Sequence, residues 1–206
     1  YNAFQTKMQP IIAELDGRDQ WKLTRSDSIY RASKAYRHFF RDLQPPLPFL
    51  WIWKTRVIKR IKIFIWLVFR DRINSRNMLR RRGCKVDNND YSCVLCSQGT
   101  EETTYHLLFQ CQFSRDCWAH FGIHWDHQEP FFATIAKARQ SFRQPFFTEV
   151  FAIAAWEIWK QRNARIFRGT PPSFNSWKRA CLDQFSTQSV RWKPCVRMLF
   201  FDWLPP

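Results

Sequence analysis

The sequence contains little glycine, few acidic residues and no long hydrophobic run. Five glycines in 206 residues, beside 20 Phe, 11 Trp and 5 Tyr, predict large side chains packed between helices rather than many tight turns. Apolar runs such as Ile63 to Phe69 are far shorter than the roughly 20 residues that cross a bilayer. We therefore expect no membrane partner, and a membrane-surface role is the weakest interpretation of the charge described below.

The sequence also has no recognisable signal peptide. Its seven cysteines are an odd number, which argues against a secreted framework of paired disulfides. We therefore expect reduced thiols and an intracellular location, nuclear or cytoplasmic, rather than secretion. Because the chain begins at Tyr1 without an initiating methionine, we expect it to be a piece of a longer protein.

Acidic residues are scarce, and they are unevenly distributed. The sequence has 33 Lys and Arg against 17 Asp and Glu, a net charge of +16, and a chain this basic usually meets a polyanion. Residues 54–85, here called the basic block, hold 12 basic residues and one acidic residue. Residues 86–135 hold one basic residue and seven acidic residues, which could pair with the basic block or with a partner.

Apolar periodicity predicts a mainly α-helical fold with a small N-terminal β-hairpin and one irregular loop inserted between helices. The hairpin is expected within residues 19–30. One apolar stripe supports a helix in the basic block, at Val57, Ile58, Ile61, Phe64, Ile65 and Val68. The helices are expected from Ser33 to the prolines at 45–46 and over residues 57–70, 73–82, 114–121, 131–139, 147–168 and 173–191.

Four residues of the irregular loop have the spacing of a zinc site. Cys93, Cys96, His106 and Cys111 form the pattern C-x2-C-x9-H-x4-C, in which protein supplies all four tetrahedral ligands. A closed site of this kind predicts one structural Zn²⁺ and no catalytic metal. The acidic linker at residues 101–102 cannot form a core, so we expect the metal to fix the loop. The neighbouring Cys and His residues are interpreted as core or surface residues: Cys84, Cys117, His120, His124 and His127.

Several further motifs occur in a fixed order around this loop. They are DQWKL (19–23), SKAYR (33–37), WIWK (51–54), KIFIWL (62–67), RINSRNMLRRRG (72–83), CVLC (93–96), ETTYHLLFQC (102–111) and Trp118. Together they resemble the reverse-transcriptase zinc-binding domain of plant LINE-type non-LTR retrotransposon polyproteins. The segment IWKQRNARIF (158–167) resembles the region that commonly follows this domain.

The resemblance implies an accessory fragment of a reverse transcriptase. It places a zinc-binding domain at residues 19–122, with its zinc loop at 84–112, followed by a helical C-terminal segment at 123–206. The polymerase motif Tyr/Phe-x-Asp-Asp is absent, and no carboxylate cluster of an endonuclease is present. We therefore expect no enzymatic activity and no small-molecule substrate.

The sequence leaves two classes of function open. The first is binding of nucleic acid, RNA or DNA, through phosphate contacts of the basic block. The second is a zinc-stabilised protein-interaction module that docks on other parts of a retrotransposon polyprotein; a truncated copy without function is a further alternative. Trp53 and Trp66 are interpreted as core residues rather than base-stacking residues. The predicted nucleic-acid contacts are Lys54, Arg56, Lys59, Arg60, Lys62, Arg72, Arg76, Arg80, Arg81 and Arg82.

Overall fold

The computed structural model describes residues 31–41 and 44–205, and the chain divides into two compact units at Pro45 and Pro46. The described part of the first unit contains helix α1, Ala32–Phe39, which ends before the prolines as predicted. The hairpin predicted within residues 19–30 lies outside the described residues.

The second unit is built of helices. They are α2 Leu47–Lys54, α3 Lys59–Phe69, α4 Arg76–Arg81, α5 Gln112–His120, α6 Phe131–Phe142, α7 Phe147–Arg168, α8 Phe174–Ser189 and α9 Pro194–Trp203. A single π-helical turn, His106–Gln110, precedes α5. The β pairing in the described part of the chain is one isolated antiparallel bridge, Ser92 to Glu101. The mainly helical prediction is therefore confirmed for this part of the chain, where no helix is long and apolar enough to cross a membrane.

Helix α7 is the centre of the second unit. It packs against α2, α3, α5, α6, α8 and the π-helical turn. Six consecutive residues, 150–155, are buried, so this stretch is covered on every side rather than along one stripe. Ala152, Ala154 and Ala155 contribute small side chains there, which lets neighbouring helices approach closely.

Helix α3 packs on α7 through the predicted apolar stripe. Ile61, Ile65 and Val68 are buried, and the ring of Phe64 lies 5.1 Å from Trp156 of α7. The helix begins at Lys59, two residues later than predicted, because the backbone at Ile58 is extended. The N–H of Ile58 donates instead to Oε1 of Gln188 in α8 at 2.9 Å.

Helices α2 and α9 are missing from the sequence-based prediction for one physical reason. Both have a proline in the first turn, Pro48 as the second residue of α2 and Pro194 as the first residue of α9. The N–H groups of a first helical turn have no partner inside the helix, so proline loses nothing there. Pro48 and Pro194 therefore lie where a helix tolerates proline, in its first turn.

Aromatic rings connect the helices of the second unit into one core. Phe151 of α7 lies at the middle, with ring centroids 5.7 Å from Trp118, 5.9 Å from Trp125 and 6.2 Å from Phe69. The expected packing of large side chains between helices is therefore present. This core includes helices on both sides of residue 122. The domain boundary between residues 122 and 123, which the resemblance implies, stays a prediction.

Truncating the central ring tests this description. Phe151→Ala should destabilise the second unit by about 3 to 5 kcal/mol, because it removes a buried ring and leaves a cavity among rigid neighbours. Urea unfolding followed by circular dichroism measures the change. Phe167→Ala is the matched control, because Phe167 lies on the same helix but is exposed. Similar losses in both variants would contradict the assignment of Phe151 to the centre of the core.

Candidate metal centre

The four predicted zinc ligands come together in space. The Sγ atoms of Cys93 and Cys111 lie 3.8 Å apart, and Sγ of Cys96 lies 3.4 Å from Nε2 of His106. All four donor atoms lie within 4.8 Å of one another. Cys93, His106 and Cys111 are buried, whereas Cys96 is partly exposed at the rim.

These distances fit a tetrahedral zinc ion. Two thiolates bound at about 2.3 Å lie about 3.8 Å apart in a regular tetrahedron, which matches the separation of Cys93 and Cys111. Three sulfur donors and one imidazole are a donor set that selects zinc in structural sites. Because protein supplies all four donors, such an ion would hold the loop and would leave no position for a substrate.

The first pair of ligands lies on a turn closed by backbone hydrogen bonds. The N–H of Cys93 donates to the carbonyl of Thr100 at 2.8 Å, and the N–H of Glu102 donates to the carbonyl of Tyr91 at 2.9 Å. Between them Gly99 has φ of +65°, a conformation that costs glycine little and other residues more. The turn therefore returns the chain beside Cys93 with both thiols on the same side.

The second pair of ligands depends on the π-helical turn. The N–H of Cys111 donates to the carbonyl of His106 at 2.7 Å, a bond that spans five residues instead of four. In a regular α-helix, two residues five apart point about 140° away from each other. The wider π turn brings His106 and Cys111 toward the same side, so both reach the metal position. The sequence predicts an irregular loop here, and the π-helical turn lies within it.

Two side chains of α5 donate hydrogen bonds to backbone carbonyl groups of the π-helical turn. These carbonyls lack a helical partner because the π geometry changes to α geometry after them. Oγ of Ser114 donates to the carbonyl of Leu107 at 2.5 Å, and Nε1 of Trp118 donates to the carbonyl of Leu108 at 2.6 Å. Trp118 also stacks on Phe151 of the core. Trp118, the last residue of the motif series, therefore connects the metal loop to the aromatic core.

The protonation of the cluster suits a metal ligand set. Burial lowers the pKa of His106, opposed by the charge of nearby Glu102, and a neutral imidazole is the form that binds metals. The hydrogen bond from Cys93 lowers the pKa of Cys111 to about 6, and the same bond raises the pKa of Cys93. Metal binding would displace the proton of Cys93, since the thiolate is the ligand.

Glu102 is the residue whose role the sequence does not reveal. Its side chain is 0% exposed, and its Oε1 accepts hydrogen bonds from Nη2 and Nε of Arg162, at 2.7 and 3.0 Å. Arg162 belongs to α7 and is only 3% exposed. The same Oε1 accepts the N–H of Arg76 at 2.9 Å, and the Glu102 carbonyl accepts the N–H of Asn77 at 3.1 Å. Glu102 thus satisfies two free N–H groups at the N-terminus of α4 while it neutralises a buried arginine.

The acidic linker is therefore a structural junction and not a loop that the metal alone fixes. Glu101 also has a partner, because its Oε1 lies 2.9 Å from Nη2 of Arg80. Asp90 pairs with Arg76 at 3.1 Å. The acidic stretch pairs with the basic block inside the chain, one of the two alternatives that the charge distribution left open.

Within the basic block, the structure separates two groups of cations. The side chains of Arg76, Arg80 and Arg81 on α4 form ion pairs, and Arg81 pairs with Asp71 at 2.6 Å. Nη1 of Arg82 donates to Oδ1 of Asn74, and Nη1 of Arg56 donates to the carbonyl of Arg191. Nζ of Lys62 donates to the carbonyl of Trp53, and burial lowers the pKa of Lys62. Other predicted nucleic-acid contacts are exposed and form no ion pair with a described residue. They include Lys54, Lys59, Arg60 and Arg72.

Two residues interpreted as core lie on the surface instead. Trp53 is 53% exposed and Trp66 is 39% exposed, so the core interpretation is wrong for both. The remaining cysteines and histidines near the zinc loop agree with their interpretation as core or surface residues. Cys117 is buried and His120 is partly buried, whereas Cys84, His124 and His127 are exposed.

Comparison with known proteins agrees with a zinc centre. Residues 30–118 match the model of a protein family described as zinc-binding in reverse transcriptase. A curated protein of Arabidopsis thaliana, named "Putative ribonuclease H protein", is 27% identical over an alignment of 189 residues. The match covers 81% of this chain and 28% of the relative. No solved structure matches this chain. The predicted resemblance to a reverse-transcriptase zinc-binding domain is confirmed over residues 30–118, and the cofactor is one zinc ion.

Removing one ligand should release the metal. We expect about one zinc per chain by elemental analysis, and close to none in Cys96→Ser, because a three-ligand site with an open position binds less tightly. Hydrogen exchange should then accelerate in residues 90–112 and stay slow in α7 and α8. Cys84→Ser is the control, since Cys84 is an exposed cysteine outside the cluster. A metal-free chain with a fully protected loop would contradict this prediction.

Removing the carboxylate of Glu102 should destabilise the protein even with zinc bound. Glu102→Gln leaves the charge of Arg162 buried without a counter-ion, which costs about 3 to 5 kcal/mol. Glu101→Gln removes only a half-exposed pair and should cost less than about 1 kcal/mol. Urea unfolding of the zinc-loaded chain compares the two variants. Combining Glu102→Gln with Arg162→Met should cost less than the sum of the single changes; an additive result would argue that the two side chains are not coupled.

Proposed function

We propose that this chain is a zinc-stabilised accessory region of a retroelement reverse-transcriptase protein that binds nucleic acid through its basic block. The observation that carries the proposal is the exposed charge at the start of α3 that forms no ion pair with a described residue. The family match supports the parent context, because residues 30–118 match a family described as zinc-binding in reverse transcriptase. The metal would organise the loop, and the loop in turn supports α4 within the same unit.

The ion pairs favour one part of the basic block for phosphate contact. An arginine that already pairs with a carboxylate must break that pair, or share it, before it neutralises a phosphate. This applies to Arg76, Arg80 and Arg81. Lys59 and Arg60 at the start of α3 are exposed and have no ion pair to a described residue, so they can neutralise phosphates at no such cost.

We also propose that this region contributes no catalysis. The relative from Arabidopsis is named for ribonuclease H, but this chain spans only 28% of that protein's length. Among the described residues, the group of His, Cys, Asp and Glu side chains placed to hold a metal is the closed zinc cluster. Two-metal nucleases instead need converging carboxylates with open positions for substrate.

A second candidate function is a protein-interaction module within the polyprotein. The outer face of α9 favours it, because Met198, Leu199 and Phe201 are exposed there beside Val190 at the end of α8. Contiguous exposed apolar side chains often mark a protein contact. A saturable protein partner without nucleic-acid binding would favour this candidate over the first.

Charge reversal on α3 should weaken nucleic-acid binding more than charge reversal on α4. Lys59→Glu with Arg60→Glu should reduce the salt slope of binding by about 1.4 to 1.8, since each phosphate contact contributes about 0.7 to 0.9. Arg80→Glu with Arg81→Glu is the matched pair and should change the slope by less than half as much, because both arginines are already neutralised. Fluorescence anisotropy with labelled RNA and DNA at several salt concentrations measures both slopes.

The folded state of each variant must first be verified by circular dichroism. If neither reversal changed affinity or slope in a folded protein, the basic block would be a solvated surface. The protein-interaction module would then become the leading candidate.

A further inference from the structure

One face of α3 combines exposed aromatic and basic side chains in a line. Lys59, Ile63, Trp66 and Arg70 are spaced by four, three and four residues, so they lie along one side of the helix. All four are exposed, with Ile63 at 51% and Trp66 at 39%. The opposite side of the helix packs into the core, so this line faces outward. We call it the α3 outer face.

Trp53 adds a second aromatic ring close to this face. It lies in the last turn of α2 and is 53% exposed. Nζ of Lys62 on α3 donates to the carbonyl of Trp53 at 3.1 Å, which connects the end of α2 to the first turn of α3. The two exposed tryptophans are therefore carried by two helices that are bonded to each other.

Trp53 and Trp66 differ from the other tryptophans of the second unit, which are buried or partly buried. Trp118 and Trp177 are fully buried, and their Nε1 atoms donate to backbone carbonyls at 2.6 and 3.3 Å. The outer face instead leaves large apolar surface in water, flanked by cations. Tryptophan is enriched where surfaces bind partners, and a tryptophan next to a cation suits a partner that has both flat rings and negative charge.

Charge complementarity restricts the partner to a polyanion. Lys59 and Arg70 stand at the two ends of the line, about 16 Å apart along the helix axis, with the apolar residues between them. Neither forms an ion pair with a described residue. Phosphates at the ends and bases in the middle would match this pattern, whereas an apolar protein surface would leave both cations unsatisfied.

We propose that the α3 outer face, together with Trp53, is a stacking platform for single-stranded nucleic acid. Unpaired bases stack on Trp66 and Trp53, and the adjoining phosphates contact Lys59 and Arg70. Bases in a duplex stack on one another and expose only their edges, so a duplex uses the cations but not the rings. This inference rests on the proposed function and adds to it the class of nucleic acid and the residues that select it.

The test compares strands and side chains in the zinc-loaded 206-residue chain. Trp66→Leu keeps an apolar side chain on an exposed site but removes the ring. It should weaken binding of a labelled oligo-dT or oligo-U strand by about 5- to 150-fold, the loss expected for one stacked base. Binding of a duplex of equal length should change less than about twofold. The salt slope should stay the same, because no phosphate contact is lost.

Two controls separate stacking from charge and from general surface effects. Phe201→Leu removes an exposed ring on α9 and should leave binding of both strands unchanged. Lys59→Gln with Arg70→Gln should reduce the salt slope for single strands and duplex alike. A loss of affinity for either oligo-dT or oligo-U in Trp66→Leu supports the platform. The strand that the unchanged chain binds more tightly is the preferred type of nucleic acid.

Three results would overturn the inference. The first is that Trp66→Leu leaves the affinity for single strands unchanged, or weakens binding of duplex equally. Either outcome would show that the ring does not select unpaired bases. Self-association of the unchanged chain that is lost in Trp66→Leu would show that a second copy covers this face. Absence of any nucleic-acid binding by the unchanged chain would instead reject the proposed function itself, and the platform with it.

Discussion

The buried carboxylate of Glu102 joins three parts of the molecule that lie far apart in the sequence. It follows the first half of the metal loop, it accepts an N–H group at the start of α4, and it neutralises Arg162 in the central helix α7. A buried charge is costly unless it is paired and hydrogen-bonded, so these contacts must form together. The position of the metal loop on the helical core depends on this junction as well as on the metal.

Two kinds of stabilisation therefore meet at the same place. The helices around α7 are held by burial of apolar side chains and by contacts between rings such as Phe151 and Trp118, which need no ligand. The metal loop also contributes buried apolar side chains to this core, at Leu95, Leu107, Leu108 and Phe109. Glu102 and the carbonyl that Trp118 satisfies add polar contacts to this packing, and a metal ion on the four donor atoms would add to them.

The same junction also distributes the charge of the basic block. Acidic residues of the metal loop neutralise arginines of α4, and this leaves unpaired cations of the basic block on α3, at the end of α2 and at Arg72. Within the basic block, α3 thus presents unpaired cations, whereas Arg76, Arg80 and Arg81 of α4 are paired. Internal ion pairs, rather than the count of basic residues, determine which surface is free to meet a polyanion.

The sequence by itself determined the metal ligands, the long helix at residues 147–168 and the buried stripe of α3. Each of these follows from local spacing, whether of donor residues or of apolar side chains. Only the tertiary structure decided the burial of Glu102, the exposure of Trp53 and Trp66, and the π-helical turn between His106 and Cys111. Burial and pairing depend on residues distant in sequence: Glu102 is 60 positions from Arg162. A local pattern shows which side of a helix is apolar, but it does not show whether another element covers that side.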